Sequence, residues 1–234
     1  MMQNPSLRPI LIASPHPRND SLEQQMINRL SDRDVVRIRS PQDLILERLE
    51  KVNPEYIFFP HWSWIIPKEI HTKFTCIIFH MTNLPYGRGG SPLQNLIVRG
   101  HKETTLTALK CTSELDAGPT YLKRPLSLSG TAEEILERAS DLIADMIVEI
   151  VQVQPTPVSQ QGEVVEFRRR QSKDGNISEL DSLGQVYDYI RMLDADGYPH
   201  AFIETSHFHI EFMDGQLGDE FVEARVRIRR INSD

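Results

Sequence analysis

Apolar residues along the chain form short solid blocks, and the stretches between them carry hydrophobic positions at helical spacing. Pro9 to Ala13 (PILIA) predicts a first strand. Ser21 with Gln24 has the form of a capping box, and Leu22, Met26, Ile27 and Leu30 then recur as one helical face. Val35 to Ile38 predicts a second strand. Ser40-Pro41 reads as an N-cap followed by proline at the first helical position, ahead of Leu44, Ile45, Leu49 and Val52. Tyr56 to Phe59 and Thr75 to Phe79 predict two further strands, with a short helix from Pro67 to His71 between them. Ser91-Pro92 repeats the capping signal and opens a helix through Ile97, and Thr105 to Lys110 reads as a strand. Thr131 and Glu134 form another capping box before Ile135, Ala139, Leu142, Ile143, Met146 and Ile150, the apolar face of a long helix. Solid apolar strands alternating with helices predict an α/β fold with a mainly parallel sheet.

The pattern changes after Val153. Gln154-Pro155-Thr156-Pro157 and Ser159-Gln160-Gln161-Gly162 have the composition of a linker. Beyond them lie a helix near Leu183 to Leu193, strands at Ala201 to Glu204 and His207 to Phe212, and an alternating apolar and charged run from Phe221 to Ile231. The expected organisation is a catalytic domain over 1–153, a linker over 154–165 and a small subdomain over 166–234.

Composition narrows the class. With 234 residues, 39% hydrophobic and 25% charged, the chain is neither collagenous nor wholly disordered. No apolar run approaches the length of a membrane helix, and Met1 to Arg8 lacks the apolar core of a signal peptide. Two cysteines, Cys76 and Cys111, make no disulfide framework, so a reducing, cytoplasmic compartment is expected. The net charge of -7 argues against a grip on long nucleic acid.

Some attractive motifs fail. Residues 12 to 20 read IASPHPRND, with none of the glycines of a dinucleotide-binding turn. His207 and His209 share one strand face but have no third ligand nearby, so packing explains them better than metal does. Arg168-Arg169-Arg170, as a bare charge cluster, reads as a solvated face. Trp62 and Trp64 flank Ser63 just past a strand end, where open α/β sheets bind ligands. Either core packing or a wall for a flat ligand fits them. The informative stretch is His80 to Pro92, HMTNLPYGRGGSP. It sets an imidazole at a strand end, then a Pro- and Gly-rich loop with Arg88, then a helix start suited to an anionic group. Leu115-Asp116-Ala117-Gly118-Pro119 places a carboxylate in a tight turn after another strand. A carboxylate beside an imidazole orients it for proton transfer.

These motifs resemble the folate-dependent formyltransferases, which act on methionyl-tRNA, on glycinamide ribonucleotide and on nucleotide-linked amino sugars. His80, Pro85 and Gly89 are similar in register to the family's N-x-H-x-S-L-L-P-x-x-x-G signature, and Asp116 in LDAG to its D-x-G turn. NPEYIFFPHWSWIIP, from Asn53 to Pro67, resembles the strand and loop that hold the pterin. RRQSKDGNI and DYIRMLDADGYPHAF are similar to the family's tail. The resemblance implies a Rossmann-like, mainly parallel sheet flanked by helices, with a small α+β C-terminal appendage. The family's asparagine, two residues before the histidine, is replaced by Ile78, and Asn83 is the nearest amide that could stand in for it.

By resemblance, N10-formyltetrahydrofolate donates a formyl group to a primary amine through a tetrahedral oxyanion. His80, Asp116 and Asn83 are the expected catalytic residues. Trp62, Ser63, Trp64, Ile65, Ile66 and Leu115 are expected to hold the folate. Tyr86, Gly87, Arg88, Gly89, Arg169 and Arg170 are expected on the acceptor, with Arg88 on a diphosphate. The short acidic tail, with Arg168 to Arg170 followed by Asp174-Gly175, is similar to the sugar-nucleotide enzymes. The expected acceptor is therefore a nucleotide-linked amino-deoxysugar, a surface-glycan precursor, and the expected assembly a homodimer. Two alternatives stay open: another amine such as methionyl-tRNA, or a folate- or nucleotide-binding protein without catalysis.

Overall fold

The computed structural model describes residues 7–231. In chain order the first half comprises β1 (Ile10–Ala13), α1 (Asp20–Arg29), β2 (Val35–Ile38), α2 (Leu46–Val52), β3 (Tyr56–Phe59), α3 (Lys68–Lys73), β4 (Cys76–His80), β5 (Tyr86–Gly89), α4 (Pro92–Ile97) and β6 (Glu103–Lys110). The second half comprises β7 (Thr120–Ser127), α5 (Ala132–Val153), β8 (Val165–Phe167), α6 (Leu183–Met192), β9 (Ala201–Glu204), β10 (Phe208–Leu217) and β11 (Val222–Arg230). Two compact units result, each drawn from separated stretches: Met1–Arg88, Thr105–Leu126 and Glu137–Glu166 in one, and Gly89–Thr104, Ser127–Leu136 and Phe167–Asp234 in the other.

The central sheet has the order β2-β1-β3-β4-β6-β7. The β1–β2, β1–β3 and β3–β4 pairs are parallel and β4–β6 is antiparallel, so the expected α/β class with a mainly parallel sheet holds. Every residue of β1 is fully buried, which is why its sequence is a solid apolar block rather than an alternation. On one face Leu11, Ala13, Ile38, Leu49, Ile57, Phe59, Ile66 and Ile70 form a cluster, joined by Trp62, Ile78 and Cys111 at its margin. Parallel pairing brings the C-terminal ends of β1, β3 and β4 to one edge, and His80 is the last residue of β4.

Some local expectations change. A 3-10 turn at Pro17–Asn19 starts α1 early, so Ser21 lies inside the helix. Its hydroxyl donates to the Arg18 carbonyl at 3.3 Å instead of capping, and Ile27 is exposed. Ser40 caps a separate 3-10 turn, Pro41–Asp43, and Ile45 is exposed ahead of α2. Ser91 takes a left-handed conformation and makes no side-chain cap on α4. The Thr131–Glu134 capping box forms as expected, at 2.8 and 3.3 Å. Three strands differ from the sequence pattern, β5, β7 and the three-residue β8. Tyr86–Gly89 reads as a loop because of its glycines, yet it pairs with β8. Thr120–Ser127 carries Lys123, Arg124 and Pro125, a composition tolerated because β7 is at the sheet edge.

The second unit contains a three-stranded antiparallel sheet, β11-β10-β9. By register, Phe202, Glu211 and Met213 share one face with Arg225 and Arg227. Phe202, Glu211 and Met213 are buried, and α6 packs on this sheet with Ile190 against Gly215. The opposite face carries Ile203, Phe208, Ile210, Phe212, Val226 and Ile228. Phe208, Val226 and Ile228 there are 43%, 46% and 62% exposed.

The turn after β6 depends on one small residue. A Cβ on Gly118 would lie 1.8 Å from the Lys110 carbonyl oxygen, a backbone atom that cannot swing aside. Gly118→Ala is expected to destabilise the chain by about 2 kcal/mol or more through forced backbone movement. Urea unfolding of the variant beside the parent checks this, and an unchanged midpoint would show that the turn accommodates a side chain.

Candidate active site

The site is assembled in the first unit around the His80 ring from the Gly87 and Thr82 carbonyls and the Asp116 carboxylate. His80 is buried, and its Nε2 lies 2.7 Å from the Gly87 carbonyl. A carbonyl only accepts, so Nε2 carries the hydrogen. The other ring nitrogen, Nδ1, faces Asp116 Oδ2 at 3.6 Å. The loop from Met81 to Tyr86 folds back because Gly87 adopts a positive φ of 77°, which turns its carbonyl to the ring. Thr82 Oγ1 donates to the same carbonyl at 3.4 Å, and Thr107 Oγ1 donates to the Thr82 carbonyl at 2.7 Å. Asp116 is itself left-handed, at φ 50°, in a buried turn. Strain of this kind in a non-glycine residue persists where surrounding contacts enforce it.

The other expected residues divide. Trp64, Ile65 and Leu115 are large apolar side chains left 47%, 84% and 63% exposed, and Ser63 is exposed beside them. Ile66 is buried in the apolar cluster. Trp62 packs edge-on to Phe59 and Trp64 at centroid distances of 5.5 and 5.2 Å, and its indole N–H is buried without a hydrogen-bond partner among the described residues. Uncovered apolar surface with one unsatisfied donor suits a flat heterocycle with polar edges, so these residues fit a pterin. Cys111 adjoins the same cluster. Burial first, and then the charge of Asp116, raise its thiol to about 11, so it stays protonated and is no nucleophile.

Ile78 packs against the apolar cluster and offers no donor. Asn83, the amide expected to replace the missing asparagine, is exposed and accepts from Lys123 Nζ at 2.7 Å, tying it to β7 rather than to the His80 ring. Arg88 is engaged as well. Its Nε and Nη2 donate to Gln160 Oε1 at 3.2 and 2.9 Å, and Nη1 pairs with Glu114 at 3.1 Å. Tyr86 is half-buried in β5.

In the second unit, Gly89 and Gly90 lie against the backbone of Phe167 and Arg169, where a Cβ would come within 2.5 and 2.6 Å. Arg169 is exposed. Arg170 donates its backbone N–H to Ser91 Oγ at 3.1 Å and stacks its guanidinium 5.2 Å over the Tyr189 ring. Gln160 belongs to the stretch read as a linker and was missed. A lone glutamine among Ser, Gln and Gly carries no local signal. His209 lies 3.0 Å from Glu204 and stacks on Phe202, and among the described residues no group of three or more His, Cys, Asp or Glu could hold a metal. Among those residues no helix is long and apolar enough to cross a membrane.

The strand-end histidine faces the carboxylate of the D-x-G turn, and the chain belongs to the formyl transferase family, which it matches over residues 21–151. That family draws its formyl group from N10-formyltetrahydrofolate, as expected. Residues 172–229 match the methionyl-tRNA formyltransferase C-terminal domain. Among solved structures, a methionyl-tRNA formyltransferase from Clostridium thermocellum is 46% identical with a TM-score of 0.93, covering 96% of this chain and 100% of that one. The methionyl-tRNA formyltransferase of Thermodesulfovibrio yellowstonii is 30% identical over 64% of this chain and 51% of its own length, so the chain spans about half of that curated relative. A sugar N-formyltransferase from Shewanella matches at 18% identity and a TM-score of 0.66, over 86% of this chain and 94% of that one, a likeness of fold alone. These findings overturn the expected nucleotide-linked amino sugar and its surface-glycan product. The tail cues behind that expectation have an internal explanation: Arg168 pairs with Asp174 at 3.1 Å and Arg170 stacks on Tyr189.

Beneath the apolar loop runs a buried polar chain. Asn19 Nδ2 donates to Ser14 Oγ at 2.7 Å, Ser140 Oγ donates to Asn19 Oδ1 at 3.1 Å, and His61 Nε2 lies 3.2 Å from Ser140 Oγ. Burial, then the charges of Arg18 and His16, depress the His61 imidazole from 6.5 to about 3. The unfolded chain therefore binds this proton first. The contribution of neutral His61 is complete above pH 6.5 and declines as pH falls toward 3. His61→Gln is expected to flatten the fall in Tm between pH 7 and about 5, a window above most carboxylate titration. Parallel Tm profiles for parent and variant would remove His61 from the acid response.

Proposed function

We propose that this chain transfers a formyl group from N10-formyltetrahydrofolate to the amino group of methionyl-tRNA. The 46% identity to the Clostridium thermocellum enzyme across nearly the whole chain carries this reading. The site supports the chemistry. The folate supplies the formyl group, and its flat ring would cover Trp64, Ile65 and Leu115. His80 holds its Nε2 proton on the Gly87 carbonyl and moves a proton at Nδ1. Asp116 orients the ring and offsets the charge it gains as the attacking amine bonds the formyl carbon and loses its proton, which the ring then gives to N10 as the formyl–N10 bond breaks. With Ile78 in place of an amide, stabilisation of the developing negative charge falls more heavily on the proton that the His80 ring gains at Nδ1.

The apolar face of the three-stranded sheet supports a homodimer. Arg225, Arg227 and Arg229 lie on the other face and pair with Asp214 and Glu211, at 2.6 Å for Arg225, 3.5 Å for Arg227 and 2.7 Å for Arg229. Ile203, Phe208, Ile210, Phe212, Val226 and Ile228 therefore offer a second copy a largely apolar surface, with Arg230 at one end of β11 its one charged residue in the paired strands.

Formylation of methionyl-tRNA with labelled donor tests the activity. His80→Asn and Asp116→Asn are each expected to lower kcat/KM by about 100-fold or more, with the fold intact. Turnover near the parent's would remove the mechanism, and a parent inactive on methionyl-tRNA would remove the substrate. Sedimentation tests the assembly: Ile228→Glu is expected to convert a dimer to a monomer, and a monomeric parent would end that proposal.

A further inference from the structure

Between α5 and β8 the chain has no helix and only an isolated bridge, Val158 to Thr120, yet one side chain there uses both polar atoms of its amide on the site. Gln160 Nε2 donates to the carbonyls of Asp116 at 2.7 Å and Gly118 at 2.8 Å. Gln160 Oε1 accepts from Arg88 at 2.9 and 3.2 Å. Arg88 directly follows Gly87, whose carbonyl holds His80 Nε2. One amide thus joins the turn that aims Asp116 at Nδ1 to the strand that fixes Nε2.

We propose that Gln160 is a positioning residue for formyl transfer, setting the separation between the His80 ring and the Asp116 carboxylate by clamping the D-x-G turn to β5. The inference rests on the formyltransferase reading. The left-handed Asp116 sits in a turn that Gly118 lets close on Lys110, and Gln160 adds to it a tie from outside the turn. An amide is the group required, because one end must donate to two carbonyls while the other accepts from a guanidinium. A carboxylate would keep the bond to Arg88 and strengthen it, but it cannot donate to Asp116 and Gly118. Displacement of a reacting group by about 1 Å is enough to cost about 100-fold in rate.

The test compares the parent with Gln160→Ala, Gln160→Glu and Gln160→Met, the last of similar length without donors. Steady-state kinetics with N10-formyltetrahydrofolate and methionyl-tRNA are run beside thermal melts. Both Gln160→Ala and Gln160→Glu are expected to lose about 10–100-fold in kcat, with KM for the folate within about twofold. The shape of the kcat–pH profile should change, since the tie acts on a proton-moving pair. Parent-like kcat in the variants overturns the proposal. So does recovery of kcat in Gln160→Glu, which would assign the residue's role to Arg88 alone. If Gln160→Ala does not fold, Gln160→Met decides by the same criteria. An inactive parent in the same assay would instead remove the formyltransferase reading itself, so the two failures are distinct.

Discussion

Complete burial of β1 is the constraint on which the rest of the first unit depends. All four residues, Ile10 to Ala13, are removed from water, so every backbone N–H and C=O among them must be paired inside the protein. Parallel neighbours on both sides meet that demand, and apolar layers must then cover both faces. Leu11 and Ala13 enter the cluster with Ile57 and Phe59 on one face, and Ile10 and Ile12 are equally buried on the other. Because β1, β3 and β4 run in the same direction, their C-terminal ends open onto a single edge. The chemistry gathers at that edge because side chains beyond it are released from the apolar layers.

Polar groups near the edge are held by the backbone more than by each other. Gly87, Asp116 and Gly118 each contribute a carbonyl to a side-chain donor. Arg37, almost wholly buried, donates to the carbonyls of Ser14, His16 and Asn19 and so shapes the loop after β1. Such bonds satisfy buried donors while fixing loop geometry, a requirement where a misplaced loop would displace a reacting group.

Arginines illustrate how sequence cues mislead about partners. Arg88 looks suited to a phosphate, and the run from Arg168 to Arg170 reads as a solvated face or, by resemblance, as part of an acceptor site. In the folded chain Arg88 braces Gln160 and Glu114, Arg168 reaches Asp174 and Arg170 stacks on Tyr189. Guanidinium groups serve equally well as internal forks for carbonyl and carboxylate oxygens, so their presence near a glycine-rich loop does not identify the ligand. The proposed acceptor rests instead on whole-chain likeness, including the tail that matches a methionyl-tRNA formyltransferase C-terminal domain.

By itself the sequence determined the order of β1 to β4, β6 and the helices between them, the strand-end placement of His80 and the turn carrying Asp116. These follow from local properties: apolar blocks for two-sided strands, helical spacing for amphipathic faces, and Asp-x-Gly for a tight turn. Only tertiary structure decided that Tyr86–Gly89 and Thr120–Ser127 are strands, since glycine and charged residues become strands there through pairing and edge position. Tertiary structure also decided which nitrogen of His80 carries the fixed proton, that Asn83 turns to Lys123, and that Gln160 donates to the Asp116 carbonyl across 44 residues of sequence. Those contacts join residues far apart in the chain. Their strength depends on distances and directions that no local pattern encodes.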